Sequence, residues 1–459
     1  MKENKVKYIS LAIFSILTFV LMFTRAPFWD EARAFMVSMC PIKEIFQLIR
    51  IDGHPIVWYL ILKPFSNIKF YPYPMLFLNW VFCIFALKVF WDKAPFKIIH
   101  KIFITFSNIF LFYFAIVSRG YCYVLILLFW ICALYPKRFK NPYLFSFLIV
   151  FCANSELVGA IFCFYLGLTF LYELFKKKKK ALFLKTFSIY FLGALLFLLQ
   201  TINTKDYNLA NIYQKPSLMY VLSYIHFSNL RTLYFILFSI FVLWFSFYIF
   251  KKNKKLFLVF LAPILTYASV FLFIYVGSFW NYHFFYIYLI LSCWLGYKYL
   301  KKNKILYAFF ILLLVFNLPI NRSYRYNSVN MIYFSNSYNI AKVILENPKY
   351  KNAKLYALDY WSDVSPGADI YLLKQGIELY HTNGTKKNSF ENIKNIYTYK
   401  DKKIDLENLY STFDKNKENY LLINRKDTFD KIFSSKEFEI LLVEYFKKAN
   451  LKIYEVRKK

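Results

Sequence analysis

The chain has 459 residues, 59% of them hydrophobic and 23% aromatic, with a formal net charge of +33. Soluble domains are about 45–50% apolar, and apolar runs of membrane-spanning length recur through the first two-thirds of this chain, so a single-core soluble enzyme and a disordered chain are both excluded. The lysines fall in short runs between apolar segments, as at 137–140, 176–180, 251–255 and 301–304, a cytoplasmic-loop pattern that excludes a nucleic-acid partner.

In chain order, an apolar run at 8–23 follows Lys2, Lys5 and Lys7. The next residues, Thr24-Arg25-Ala26-Pro27, form no small-x-small cleavage site, so the run reads as an uncleaved first span leading from inside to outside. A first outer loop then covers 24–70. Within it, 41–51 reads as an amphipathic helix, with Ile42, Ile45, Phe46, Leu48 and Ile49 set against Lys43, Glu44, Gln47 and Arg50. Residues 54–65 are apolar but too few to span, and read as an interfacial or re-entrant helix. Further spans are expected near 72–91, 98–117, 121–135, 142–154, 157–175, 182–200, 231–250, 256–276, 284–299 and 305–320, the pair within 142–175 as a hairpin. That makes eleven, with the N-terminus inside and the C-terminus outside.

After residue 320 the composition changes: residues 321–459 hold 25 of the 59 Lys/Arg and 17 of the 26 Asp/Glu. Strands are expected at 354–359 and 420–424, and helices at 366–375, closing at Gly376, and at 427–434. The expected fold is therefore an α-helical polytopic membrane domain, 1–320, followed by a small soluble α/β domain, 321–459, on the extracytoplasmic side. In that second domain Trp361 and Tyr356, Tyr360, Tyr371 and Tyr380 could stack on sugar rings, although core packing accounts for them as simply. The seven cysteines all precede residue 320 and form no CxxC pair, so neither a disulfide framework nor a zinc site is legible.

The first 320 residues hold only nine acids. An ionised group at membrane depth costs roughly 2.5–3.5 kcal/mol on insertion scales, so the placement of those nine is informative. Glu3, Asp92 and Glu173 fall among inner lysines and read as charge balance. Asp30, Glu31, Glu44, Asp52, Glu156 and Asp206 all fall on the outer side, as do Arg119, His54 and His283. Each has a local explanation. Asp30 and Glu31 could favour a helix start, Asp52-Gly53-His54-Pro55 could be a turn, and Arg119 could snorkel to lipid phosphate. Glu156 could cap the next span, and His283 could sit in an aromatic belt. Their convergence on one face favours a reaction site. His100 and His226 read as structural.

Four motifs in order carry a resemblance: Phe28-Trp29-Asp30-Glu31-Ala32-Arg33-Ala34, then Asp52-Gly53-His54-Pro55-Ile56-Val57-Trp58-Tyr59, then Ser118-Arg119-Gly120-Tyr121, then Ala153-Asn154-Ser155-Glu156. This order resembles the polytopic glycosyltransferases of the GT-C class, in the branch of the protein O-mannosyltransferases and lipid A aminoarabinose transferases, over about residues 1–175. Two positions depart from the pattern. Val158 stands where relatives often carry His, and Gly277-Ser278-Phe279-Trp280-Asn281-Tyr282-His283 replaces an Arg-His step.

The resemblance implies a sugar donor on a polyprenyl phosphate, used at the outer face of a bacterial plasma membrane, and an acceptor hydroxyl on a glycan, lipid or protein. It implies Asp30 as the general base and Arg119 as the group that neutralises the leaving phosphate, supported by Tyr121. His54 would position acceptor or phosphate, with Glu156 and His283 as further substrate-binding members. Glu31 would orient a substrate or bind a divalent cation. Two other classes compete. A transporter or flippase of a lipid-linked sugar would place charges mid-span on broken helices. An assembly subunit would need neither Asp30 nor Glu31.

Overall fold

The computed structural model describes residues 2–23, 25–27, 29–52, 54–202, 229–274, 283–319, 336–357, 367–380, 406–423, 438–447 and 451–459. The chain is predominantly helical. Among the described residues four helices are long and apolar enough to cross a membrane: Glu3–Phe23, Tyr73–Lys93, Leu157–Lys176 and Lys180–Thr201. The helical part runs through α1 (Lys2–Phe23), α2 (Trp29–Met39), α3 (Ile42–Asp52), α4 (Val57–Leu62), α5 (Tyr73–Lys93), α6 (Ile98–Thr105), α7 (Tyr121–Leu134), α8 (Pro142–Ala153), α9 (Leu157–Lys176), α10 (Lys180–Thr201), α11 (Asn229–Lys252), α12 (Lys254–Ser269), α13 (His283–Leu295) and α14 (Lys304–Phe316).

The loop helices follow their patterns. On α3, Ile45, Leu48 and Ile49 are buried, while Ile42 and Phe46, on the same predicted face, stay exposed. The buried stripe is thus one i, i+3, i+4 set and narrower than the apolar face. Only the middle of the 54–65 stretch is α-helical, as α4, and Lys63–Phe65 continue it as a 3-10 turn.

The stretch 98–117 is not one helix. α6 ends at Thr105, and Phe110–Phe114 form a π-helical turn. The causes are hydrogen bonds to other segments of the chain. The Asn108 N–H binds the Asn317 carbonyl at 2.7 Å and its amide reaches Leu318 O at 3.2 Å, tying this point to the end of α14. The Phe114 carbonyl, released from regular pairing, takes the Asn79 amide at 2.9 Å and Cys122 Sγ–H at 2.8 Å. The 142–175 region is a helical hairpin of α8 and α9. The 256–276 stretch carries Pro263 inside α12 and a π-helical turn at Val270–Ile274. The 284–299 stretch breaks after α13 at Gly296.

At one end of the bundle the acids are held by bases. Lys7 and Lys88 reach Asp92 at 2.8 and 3.2 Å, Lys101 reaches Glu3 at 3.2 Å, and Arg138 and Lys255 meet Glu173 at 2.8 and 3.2 Å. These pairs link α1 to α5 and α6, and α9 to α12.

The C-terminal part holds a five-stranded sheet of order β2-β1-β3-β5-β4, from β1 (Lys354–Ala357), β2 (Leu379–Tyr380), β3 (Asn419–Ile423), β4 (Phe438–Phe446) and β5 (Leu451–Lys458). β1 pairs parallel with both β2 and β3, β5 runs antiparallel to β3, and β4 forms a hairpin with β5. Alternation sorts the faces. Leu355, Ala357 and Leu422 pack with Ile340 and Ile344 of α15 (Ser337–Glu346) and Leu372 of α16 (Gly367–Leu373), while Tyr356, Leu421 and Ile423 pack with Leu409 and Tyr454 on the other side. The expected strands at 354–359 and 420–424 correspond to β1 and β3, and the expected helix at 366–375 to α16. The expected helix at 427–434 lies outside the described residues, as do Trp361 and Tyr360. β2, β4 and β5 were not expected. α16 also faces the helical part: it packs on α2, with Ile370 in the main apolar core and Tyr371 edge-on to Tyr71 at 5.1 Å.

Candidate functional site

The end of the bundle opposite the lysine-paired acids gathers four of the predicted residues from four segments. Asp30 and Glu31 open α2, where the helix dipole favours acids, yet their carboxylates go to different partners. Glu31 is fully buried and accepts a forked pair of hydrogen bonds from Arg25, one of them 2.6 Å long, and a third from the Ser118 N–H at 2.5 Å. Arg25 also donates to the Ile116 carbonyl at 2.5 Å. Two charges removed from water persist only when their hydrogen bonds are met, and here those bonds pin the start of α2 to the irregular stretch before Arg119. Glu31, expected to orient a substrate or bind a divalent cation, thus has its carboxylate buried on Arg25 and the Ser118 N–H in this structure.

Asp30 faces Arg119. The Arg119 Nη1 lies 3.8 Å from the Asp30 carboxylate and donates to the Asp30 backbone carbonyl at 3.4 Å. Its Nη2 stands 3.2 Å from His54 Nε2, and His54 Nδ1 stands 3.2 Å from Glu156. A guanidinium only donates. His54 Nε2 therefore accepts, and Nδ1 carries the proton that goes to Glu156. The four side chains form one chain of contacts: carboxylate, guanidinium, imidazole, carboxylate.

Glu156 is held by its position as well. It caps α9, accepting the Leu157 N–H at 3.0 Å. Burial pushes its carboxyl up, but the His54 ring, Arg119 and the Leu157 N–H together outweigh burial and hold it below the usual glutamate value.

The His54 segment is fixed from behind. The Ile56 N–H donates to Gln200 Oε1 at 3.0 Å, and Gln200 Nε2 donates to Asn154 Oδ1 at 3.0 Å. One buried amide at the end of α10 thus joins the two stretches that carry His54 and Glu156. Trp58 stacks on Tyr123 at 6.0 Å, and Tyr123 donates to the Ser155 carbonyl at 2.6 Å. Gly120 permits this packing, because a Cβ there would stand 2.7 Å from the Tyr123 ring and 3.1 Å from Trp58 Cβ.

Tyr121 is buried beside Arg119, stacked on Tyr113 at 6.2 Å. His283 packs edge-on to Tyr113 at 4.5 Å, one aromatic layer behind the ionic chain. The side chain of Asp52, and all of Asp206, lie outside the described residues. Arg25 and Gln200 are the residues that sequence reasoning missed, and Asn154 stood in the fourth motif without a role.

The group does not suit a divalent cation. The Arg119 guanidinium lies against both Asp30 and His54, Glu31 is occupied by Arg25, and among the described residues no three His, Cys, Asp or Glu side chains converge as ligands. What the arrangement offers chemically is a partly exposed imidazole at 30%, a nearly buried guanidinium and a nearly buried carboxylate next to one another, a combination able to hold an anion and take up a proton.

No family model matches this chain, and neither a curated protein nor a solved structure matches it.

Proposed function

We propose that the protein is a GT-C-like membrane glycosyltransferase that moves a sugar from a polyprenyl phosphate to an acceptor hydroxyl. The observation that carries this reading is the contact chain Asp30, Arg119, His54 and Glu156, which joins the motifs of the resemblance at one end of the bundle. In the same reading the helices make eleven spans, the site end is extracytoplasmic, and the C-terminal sheet region is a domain lying over it.

The chemistry assigns each group a task. The acceptor oxygen attacks the anomeric carbon, and its proton passes to an Asp30 carboxylate oxygen. The bond from that carbon to the phosphate oxygen breaks, and the electron pair leaves on the phosphate, whose charge Arg119 offsets. The sugar is inverted, and positive charge on its ring rises and falls in the transition state. His54 holds Arg119 in place, and Glu156 holds His54.

The test is a panel of labelled polyprenyl-phosphate sugars incubated with purified protein and with Asp30→Asn. Loss of a general base is expected to lower transfer by about 10²–10⁴-fold, with insertion and melting unchanged. Full activity in the variant removes Asp30 as base, and no donor consumption by the wild type removes the transferase reading.

A further inference from the structure

Asp30 and Arg119 stand 3.8 Å apart with side chains only 13% and 12% exposed. That separation exceeds a hydrogen bond, so the pair is held by charge in a partly desolvated place. The guanidinium does not depend on it for position, because His54 Nε2 and the Asp30 backbone carbonyl hold the same group at 3.2 and 3.4 Å. A phosphate oxygen on Arg119 would form charge-assisted bonds of about 2.7–2.9 Å, shorter than the carboxylate manages. Two anions on one guanidinium repel each other, and the one held at longer range gives way.

We propose that Asp30 is a built-in competitor for the anion subsite on Arg119, displaced when a phosphate-bearing ligand binds, so that its carboxylate turns to the acceptor only after the donor is seated. The identity of the anion as a polyprenyl phosphate rests on the transferase reading; the competition itself rests on the geometry. Binding is then ordered, donor before acceptor, and the resting site keeps its base neutralised.

The experiment is equilibrium binding of sugar-free polyprenyl phosphate, and in parallel inorganic phosphate, to the full chain in detergent. The proteins are the wild type, Asp30→Asn, Arg119→Gln and the double variant, each checked by melting. Asp30→Ser replaces Asp30→Asn if that variant aggregates. Removing the competing charge is expected to tighten binding about two- to fivefold. Arg119→Gln is expected to weaken it about tenfold or more, and the double variant to bind no tighter than Arg119→Gln alone.

Tightening with the lipid only, or with both probes, supports the competition and tells whether the headgroup suffices. It is overturned by unchanged or weaker binding in Asp30→Asn, by tightening that persists without Arg119, or by no binding of either probe. A donor panel run alongside separates the two readings. Tightening without any sugar transfer keeps the competition and removes the transferase. Transfer lost in Asp30→Asn without tightening does the reverse.

Discussion

His54 and Glu156 make a testable pair at the scale of single residues. Glu156 is stabilised as an anion by the His54 N–H, Arg119 and the Leu157 N–H despite its burial. A carboxyl whose folded value lies below its unfolded value adds stability that is full above about pH 4.3, the ordinary glutamate value, and is lost as pH falls through the lower folded value. Glu156→Gln keeps a capping oxygen and removes the charge. The gap in melting temperature between wild type and Glu156→Gln is therefore expected to be widest near neutral pH and to close in acid; a gap that is flat with pH would show that these contacts do not hold the anion. Legibility at this scale followed charge. Asp30, His54, Arg119 and Glu156 stood out because acids, imidazoles and guanidiniums are rare among 320 mostly apolar residues. Gln200 did not, because a neutral amide at the end of an apolar helix carries no such mark, although it joins Ile56 to Asn154.

Among elements, α2 depends on the buried Arg25–Glu31 pair. Arg25→Ala takes the guanidinium away from the buried Glu31 carboxylate, at an expected cost of about 3–5 kcal/mol. Arg25→Lys is not expected to restore it, because one ammonium does not reproduce the fork that meets both carboxylate oxygens and the Ile116 carbonyl. Replacing both residues with apolar ones of similar volume is expected to cost less than either single change. Melting of the purified variants decides, and an Arg25→Ala protein as stable as wild type would make the pair incidental. Arg25 was hidden in the sequence because an arginine just past a span reads as an interfacial anchor. Apolar runs exposed most helices directly. The break in 98–117 was hidden because its cause, Asn108 bound to the end of α14, is some 200 residues away in sequence. β4 and β5 escaped for another reason. β4 is an edge strand in which only Phe438 is buried and the rest are half-buried or exposed, so it lacks the alternation that marks a half-buried strand.

On the scale of the whole molecule, α16 is the point where the C-terminal part touches the helix that bears Asp30. Ile370 lies in the main apolar core, and burying such a side chain contributes roughly 1.5–3 kcal/mol. Ile370→Glu is expected to undock the sheet region, seen as earlier release of a C-terminal fragment in limited proteolysis while the helical part still melts as before. An unchanged digest would mean that the docking rests on other contacts. A second large-scale dependence runs through α10. Its outward faces are apolar and exposed along most of its length, and its buried residues are Thr186, Gly193 and Gln200. In the membrane reading proposed above, the exposed apolar faces of this helix would meet lipid, while its tip holds the His54 segment. Its depth follows the thickness of the hydrocarbon layer, to which an apolar helix of fixed length adjusts by tilting or shifting. Any such shift pulls on the Ile56 N–H and on Asn154 together, so the spacing of imidazole and carboxylate becomes a reading of bilayer thickness. If the protein is the proposed transferase, its turnover in vesicles of graded acyl-chain length is expected to peak at one thickness, and Gln200→Leu, by cutting the tether, to flatten that peak; a peak unchanged in the variant would place the lipid dependence elsewhere.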